Sequence, residues 1–279
     1  MEDYKIPYYV KKKYSIEKKL GEGSFGEVYL ANSKDGYVVL KFIFKEKVRE
    51  KDIISEYELK NVLKERCKEN LVCYHELLQT DDTYVLVMDF INGNDLYTDI
   101  VVNKVRFNEE QKIKITSDLI TAIKTIHSMG LAHRDVKHEN AVYDANENYL
   151  SLIDYGFTCN LGKIPNDDIR RCKKTDRSGT LVMLEPNMIT AMDNGKVPKK
   201  MWKKSDMFSL GLILYTVWTE DIISGKEAVE TPSKVIQNTK DLPNYMKRLI
   251  FSLLMPPKKR VSSKKLITKP PFYRKLKNK

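Results

Sequence analysis

Eight residues near the middle of this chain, His133-Arg134-Asp135-Val136-Lys137-His138-Glu139-Asn140, carry a carboxylate, an ammonium and a carboxamide on one short loop. An Asp so placed can accept a hydroxyl proton, a Lys two residues on can steady an anionic oxygen, and an Asn can ligate a hard divalent cation. Three further motifs stand in order around them. Gly21-Glu22-Gly23-Ser24-Phe25-Gly26-Glu27-Val28 and Val38-Val39-Leu40-Lys41 come before, and Ile153-Asp154-Tyr155-Gly156 comes after. Glycines let a backbone approach anionic oxygens closely and turn N–H groups towards them. Dinucleotide sites share this spacing, but their loop opens a helix, whereas this one lies between two expected strands.

Periodicity sorts the chain into two parts. Residues 14–29 and 37–44 alternate apolar and polar side chains, with a turn at 32–36, and read as strands. Residues 49–64 have helical spacing, 83–90 read as a buried strand, and 91–94 read as a hinge loop. Asn108-Glu109-Glu110-Gln111 predicts a capping box. It opens a helix running to His127, with Ile113, Ile115, Leu119, Ile120, Ile123 and Ile126 as its buried stripe. A second apolar helix is expected over 204–218. The pattern predicts an α+β chain, with a small β-rich part followed by a larger, mainly helical one.

The four motifs, in this order, resemble the eukaryotic-type protein kinase family over residues 14–272. Lys137, two residues after the Asp, resembles the serine/threonine branch. The resemblance implies a two-lobed kinase fold. An extension at 1–13 would precede an N-lobe at 14–88, a hinge at 89–94, and a C-lobe at 95–279 with an activation segment at 154–186. It also implies transfer of the ATP γ-phosphate to Ser or Thr hydroxyls of a protein, with Mg²⁺ as the metal and Mn²⁺ as a substitute.

Residue by residue, the resemblance makes Asp135 the base or orienting group, and Lys137 the contact to the transferred phosphate. Lys41 would bridge the α- and β-phosphates, and Asn140 and Asp154 would hold the metal. Either Glu56 or Glu58 would pair with Lys41. Ile54, Tyr57, Leu59 and Leu63 around Glu56 favour it as the inward one. Leu20, Gly21, Glu22, Gly23, Ser24, Phe25 and Gly26 would cover the nucleotide, and Val28, Val39 and Val142 would sandwich adenine. Met88 matches the gatekeeper, the backbone of Asp89 and Ile91 the hinge hydrogen bonds, and Asp95 the ribose contact. Val39 replaces the usual Ala and Tyr155 the usual Phe. Leu184-Glu185-Pro186-Asn187 stands where relatives have Ala-Pro-Glu, which leaves open what pairs with Arg260. The alternative from another class is a catalytically weak pseudokinase, a scaffold that binds nucleotide and partners.

Charge and cysteines bear on partners and compartment. The 279 residues carry a formal net charge of +11, with Lys and Arg concentrated at 11–19, 170–177, 196–204 and 256–279. This is either a solvated surface or attraction to acidic partners. Residues 256–261 resemble a basic nuclear import signal. No zinc-finger, helix-turn-helix or aromatic RNA-binding pattern stands in the chain, so sequence-specific nucleic-acid binding is not expected. No apolar run reaches the roughly 18 residues of a membrane span, and the polar start is unlike a secretory signal. Cys67, Cys73, Cys159 and Cys172 lack paired metal spacing and are expected as free thiols in a reducing, intracellular setting, cytoplasmic or nuclear. The Lys-, Tyr-, Asn- and Ile-rich economy of the chain resembles compact kinases of large DNA viruses, such as the very late kinases of baculoviruses. That resemblance implies a basic nucleoprotein or virion core protein as substrate, in a host nucleus. Oligomeric state is left open. Thr175 and Ser178 stand among Arg171, Lys173, Lys174 and Arg177. Either a phosphate there docks on Arg134, or the cations pair with Asp167, Asp168 and Asp176 and hold the segment unmodified.

Overall fold

The structure, a computed structural model, describes residues 6–176 and 179–268. They fall into two compact units, 1–68 with 72–92 and 69–71 with 93–279, counting each unit's full span of chain.

The first unit opens with a short helix α1 (Tyr8–Lys13) and is built on one antiparallel sheet. Its strands are β1 (Ser15–Gly23), β2 (Gly26–Ser33), β3 (Gly36–Phe44), β4 (Tyr74–Gln79) and β5 (Thr83–Asp89), in the order β1-β2-β3-β5-β4. β3 is central, so its backbone is paired on both sides. Leu40 and Phe42 alternate onto one face with Ala31, Val85 and Val87, which is the period-two pattern of a half-buried strand. The glycine-rich motif is the β1–β2 hairpin itself, with Gly23 opposite Gly26. Helix α2 (Glu50–Leu63) completes the unit. Its inward face is Ile53, Glu56, Leu59 and Leu63, at spacings that keep one side of a helix. Ile54, expected inward, is 37% exposed. Counting back by helical turns from Leu63 and Leu59 reaches Glu56 and Ile53, and passes over Ile54.

The second unit holds a two-residue strand β6 (Asn94–Asp95) and the long helix α3 (Glu109–Ser128). The capping box forms as expected: Asn108 Oδ1 accepts from the Gln111 amide at 2.9 Å, and Gln111 Oε1 from the Asn108 amide at 3.0 Å. Short strands β7 (Leu131–Ala132), β8 (Ala141–Asp144), β9 (Tyr149–Leu152) and β10 (Cys159–Asn160) follow. They form a β6-β8-β9 sheet and a β7-β10 pair. Helices α4 (Pro186–Asp193), α5 (Lys199–Thr219), α6 (Gly225–Glu230), α7 (Pro232–Asn238), α8 (Asn244–Leu254) and α9 (Ser263–Thr268) finish it. α5 starts a turn and a half before the predicted 204, because Lys199–Lys204 is helical without an apolar period. A Cβ on Gly211 would stand 2.9 Å from Leu253 Cβ, so the bare backbone lets α5 and α8 pack closely.

All four cysteines are paired, against the expectation of free thiols. Cys67 bonds Cys73, and Cys159 bonds Cys172, each with Cα atoms 5.1 Å apart, inside the range that a bridge requires. The second pair is assembled by backbone contacts that spacing does not reveal: the Asn160 amide donates to Arg170 O and the Cys172 amide to Asn160 O. Among the described residues no helix is long and apolar enough to cross a membrane.

Candidate active site

In the first unit, Lys41 sits on β3 opposite Val28 of β2 and Leu86 of β5, so strand pairing fixes where its side chain starts. Its Nζ lies 3.2 Å from Glu56 Oε1, and the Tyr74 hydroxyl donates to the same oxygen at 2.8 Å. Glu56 is 4% exposed, and a carboxylate taken from water at that depth needs such partners. Glu58 instead accepts from Asn61 at 2.9 Å on the outer side of the helix. Tyr74 had no sequence signal of its own, since a strand tyrosine reads as core.

A Cβ on Gly26 would fall 1.9 Å from Phe42 O, so close strand contact requires glycine there. Gly21 and Gly23 have no described atom within 4 Å of such a Cβ. Beside them, Glu27 accepts from Lys19 at 2.7 Å and from the Tyr29 hydroxyl at 2.5 Å. The Lys19 hydrogen bond, then that of Tyr29, holds its carboxyl below the usual range. Leu20 and Phe25 are exposed at 41% and 44%. Val39 pairs with Met88 across β3 and β5. Asp89 uses its amide on Cys73 O at 3.1 Å and its carboxylate on the Cys73 amide and on His75. Ile91 follows in the loop after β5.

In the second unit, Asp95 pairs with Val142 across β6 and β8, and its carboxylate accepts from the amide and hydroxyl of Thr98. The loop 133–140 is held from below by Asp206 of α5. Its carboxylate accepts the backbone N–H of His133 at 2.9 Å and of Arg134 at 2.8 Å, and lies 2.8 Å from His127 Nε2. Burial pushes the Asp206 carboxyl up, but these donors outweigh it and leave the group below the ordinary range. Burial lowers His127 and His133, and takes His138 down to about 4.

Above this anchor, Asp135 Oδ1 accepts from the Thr180 amide at 2.9 Å and its hydroxyl at 2.8 Å. Asp135 Oδ2 lies 3.4 Å from Lys137 Nζ and accepts from Asn140 Nδ2 at 3.2 Å, which also donates to Asp135 O at 2.9 Å. The Ile153 amide donates to Asn140 O at 2.7 Å, which sets Asp154 next to Asn140 along the backbone. Asp154 accepts from the Gly156 amide at 3.0 Å. Arg134 and Asp154 both have positive φ, 74° and 65°. Each such residue costs about 1–3 kcal/mol and persists where surroundings impose it. The rings of His133 and Tyr155 meet edge to face, 6.1 Å apart.

The segment after Asp154 is tied at several points. Arg134, stacked 4.3 Å over the Trp202 ring, bonds Asp176 at 3.1 Å, and Arg171 bonds Asp167 at 2.6 Å. Ser178 lies outside the described residues, and Thr175 is exposed. A Cβ on Gly179 would stand 2.4 Å from Arg134 O, so this glycine admits the contact that delivers Thr180 to Asp135. The open question about Arg260 closes here: Glu185 takes it in a bidentate pair at 2.6 and 2.8 Å, both residues 2% exposed. The carboxylate has moved two positions earlier, to the residue just before α4.

Residues 14–272 match the family described as protein kinase domain. Human ribosomal protein S6 kinase alpha-3 is 25% identical over 248 residues, covering 86% of this chain and 31% of its own length. The serine/threonine-protein kinase ppk16 of Schizosaccharomyces pombe is 29% identical over 242 residues, covering 86% and 34%. The chain thus spans about a third of the length of these two relatives. Among solved structures, the Cydia pomonella granulovirus kinase PK-1 superposes with a TM-score of 0.72 at 23% identity, covering 95% of this chain and 96% of the other. With its fold and its motif order both those of that family, the chain belongs to the protein kinase domain family.

Proposed function

We propose that the chain is an active protein serine/threonine kinase that transfers the γ-phosphate of ATP to a protein hydroxyl. The observation that carries this reading is the fully ordered set around Asp135, with Thr180, Lys137 and Asn140 all within hydrogen-bond or ion-pair reach of one carboxylate. In the reaction the substrate hydroxyl oxygen bonds to the γ-phosphorus as the bond to the bridging oxygen of ADP breaks. Asp135 orients the hydroxyl and takes its proton. Lys137 on the same loop offsets charge on the transferred group. Lys41, held by Glu56, serves the α- and β-phosphates, and the open space at Gly21 and Gly23 suits a backbone laid over phosphate oxygens.

Asn140 and Asp154 offer hard oxygen donors, a set that fits Mg²⁺ completed by phosphate oxygens and water. Mg²⁺ bound there supplies positive charge to the phosphate oxygens. The donation from Asn140 Nδ2 to Asp135 sets the orientation of its amide, and the turn through Asp154 to the Gly156 amide sets that of its carboxylate. The net charge of +11 supports acidic rather than basic protein substrates.

The test is phosphotransfer to casein and to histone with purified protein. Asp135→Asn should lower kcat by about three orders of magnitude or more with ATP affinity nearly kept, and Asp154→Ala should lose Mg²⁺-dependent nucleotide binding. Wild-type turnover in Asp135→Asn would falsify the assignment. Nucleotide binding without transfer to any substrate pool would favour the scaffold reading.

A further inference from the structure

The second unit contains a cavity of about 380 Å³ on the far side of His127 from the Asp206 carboxylate, and its rim is cationic. Lys163, Lys199, Lys200, Lys203 and Lys204 all line it. The four on α5 recur at one- and four-residue steps, which puts them on one side of the first turns of the helix. Helix physics disfavours that placement. Like charges four apart repel by about 0.2–0.5 kcal/mol per pair, and the positive end of the helix dipole lies in the same turn. Lys163 arrives from a different segment, its side chain laid over the bare backbone of Gly130.

No carboxylate lines the cavity, and among the described residues none of the five lysines has a carboxylate within ion-pair distance. Two ammonium groups are fixed by carbonyls: Lys203 donates to His127 O and Lys204 to Arg260 O. Lys199 Nζ stands 3.5 Å from where a Gly162 Cβ would be. Ser262 and Ser263 complete the wall, and the Ser263 hydroxyl lies 3.0 Å from His127 Nδ1. Burial, then repulsion from Lys163, pulls Lys203 below the usual lysine range, which is the state an incoming anion would relieve.

We propose that this cavity binds a compact small molecule carrying several phosphate groups. Its volume lies in the range of about 300–1,000 Å³ typical of small-molecule sites. Cations converging from separate segments on a concave space suit a compact polyanion, whereas a nucleic acid duplex or a bilayer surface would call for an open stripe. Binding at this place does not depend on phosphotransfer, so it stands or falls separately from the kinase reading.

The experiment is calorimetric titration of the whole chain with inositol hexakisphosphate and with tripolyphosphate, at about 0.15 M salt and saturating non-hydrolysable ATP analogue. The expected result is one saturable site per chain. Lys199→Ala/Lys200→Ala should weaken it by about tenfold or more while leaving the melting temperature of the free protein unchanged or raised. Lys258→Ala/Lys259→Ala removes the same charge outside the cavity and should change affinity by less than about twofold. Four results would overturn the proposal. They are no saturable binding of either probe, abolition of binding by the ATP analogue, equal losses in the two double variants, or binding only to duplex DNA or to phosphoinositide vesicles.

Discussion

Glu56 shows how one side chain can be settled by burial. Its carboxylate is removed from water among Ile53, Leu59 and Leu63, and Lys41 and Tyr74 are its compensation. Glu56→Gln removes the charge that steadies Lys41 while keeping the shape. It should lower kcat roughly tenfold or more with a smaller change in KM for ATP, whereas Glu58→Gln should stay within about twofold. Steady-state kinetics on the two variants decides the pair, and a larger loss at Glu58 reverses it. His138 makes a prediction about pH. Burial depresses its folded value to about 4, so the folded state favours the neutral ring. Its contribution is fully present above the unfolded value near 6.5 and is lost as pH falls from there towards 4. The span corresponds to about 3 kcal/mol at most. Urea melts at pH 7.5 and 5 should show a smaller pH dependence for His138→Gln than for the parent, although His127 and His133 titrate in the same direction. An unchanged dependence would remove His138 from the account.

At the level of elements, the described part of the stretch between Asp154 and α4 holds ion pairs of its own, and we expect it to need no added phosphate. Asp176 already occupies Arg134, which also stacks on Trp202. Asp176→Ala is therefore expected to lower kcat several-fold, and Thr175→Ala/Ser178→Ala to retain most activity. Mass spectrometry of the active protein before and after phosphatase treatment is the check, and activity that tracks a phosphate would overturn this reading. The start of α4 depends on Glu185 and Arg260. Breaking a buried pair of this kind costs about 3–5 kcal/mol, so Glu185→Gln should destabilise far more than Asn187→Ala in denaturant melts. The contrast between motif and support explains what is legible in the sequence. Asp135, Asn140, Asp154 and Lys41 are readable because each proposed role demands one residue type at one spacing. Tyr74, the choice of Arg134 as the partner of Asp176 and the first turn of α5 are not, because a strand tyrosine, one loop aspartate among several and a run of lysines each look like ordinary surface or core until tertiary contacts give them partners.

At the level of the whole molecule, each disulfide lies within a single unit, Cys67–Cys73 in the first and Cys159–Cys172 in the second. With two units, unfolding need not be a single cooperative step. A closed loop of about 15 residues is worth about 3 kcal/mol, so reductant should lower the melting of the second unit by several degrees. Calorimetry of Cys159→Ser/Cys172→Ser with and without reductant tests this, since the variant should no longer respond in that transition. The pairing of cysteines 13 positions apart could not be read from spacing, because it rests on two-residue strands too short to carry a period. It also changes what cleavage does to the chain. Residues 159–172 form a covalent ring, and Lys163 and Arg171 are exposed on it. A trypsin nick at either site opens the ring without parting the polypeptide, so the nicked protein should run as one band on a denaturing gel and separate into two fragments only when thiol is added.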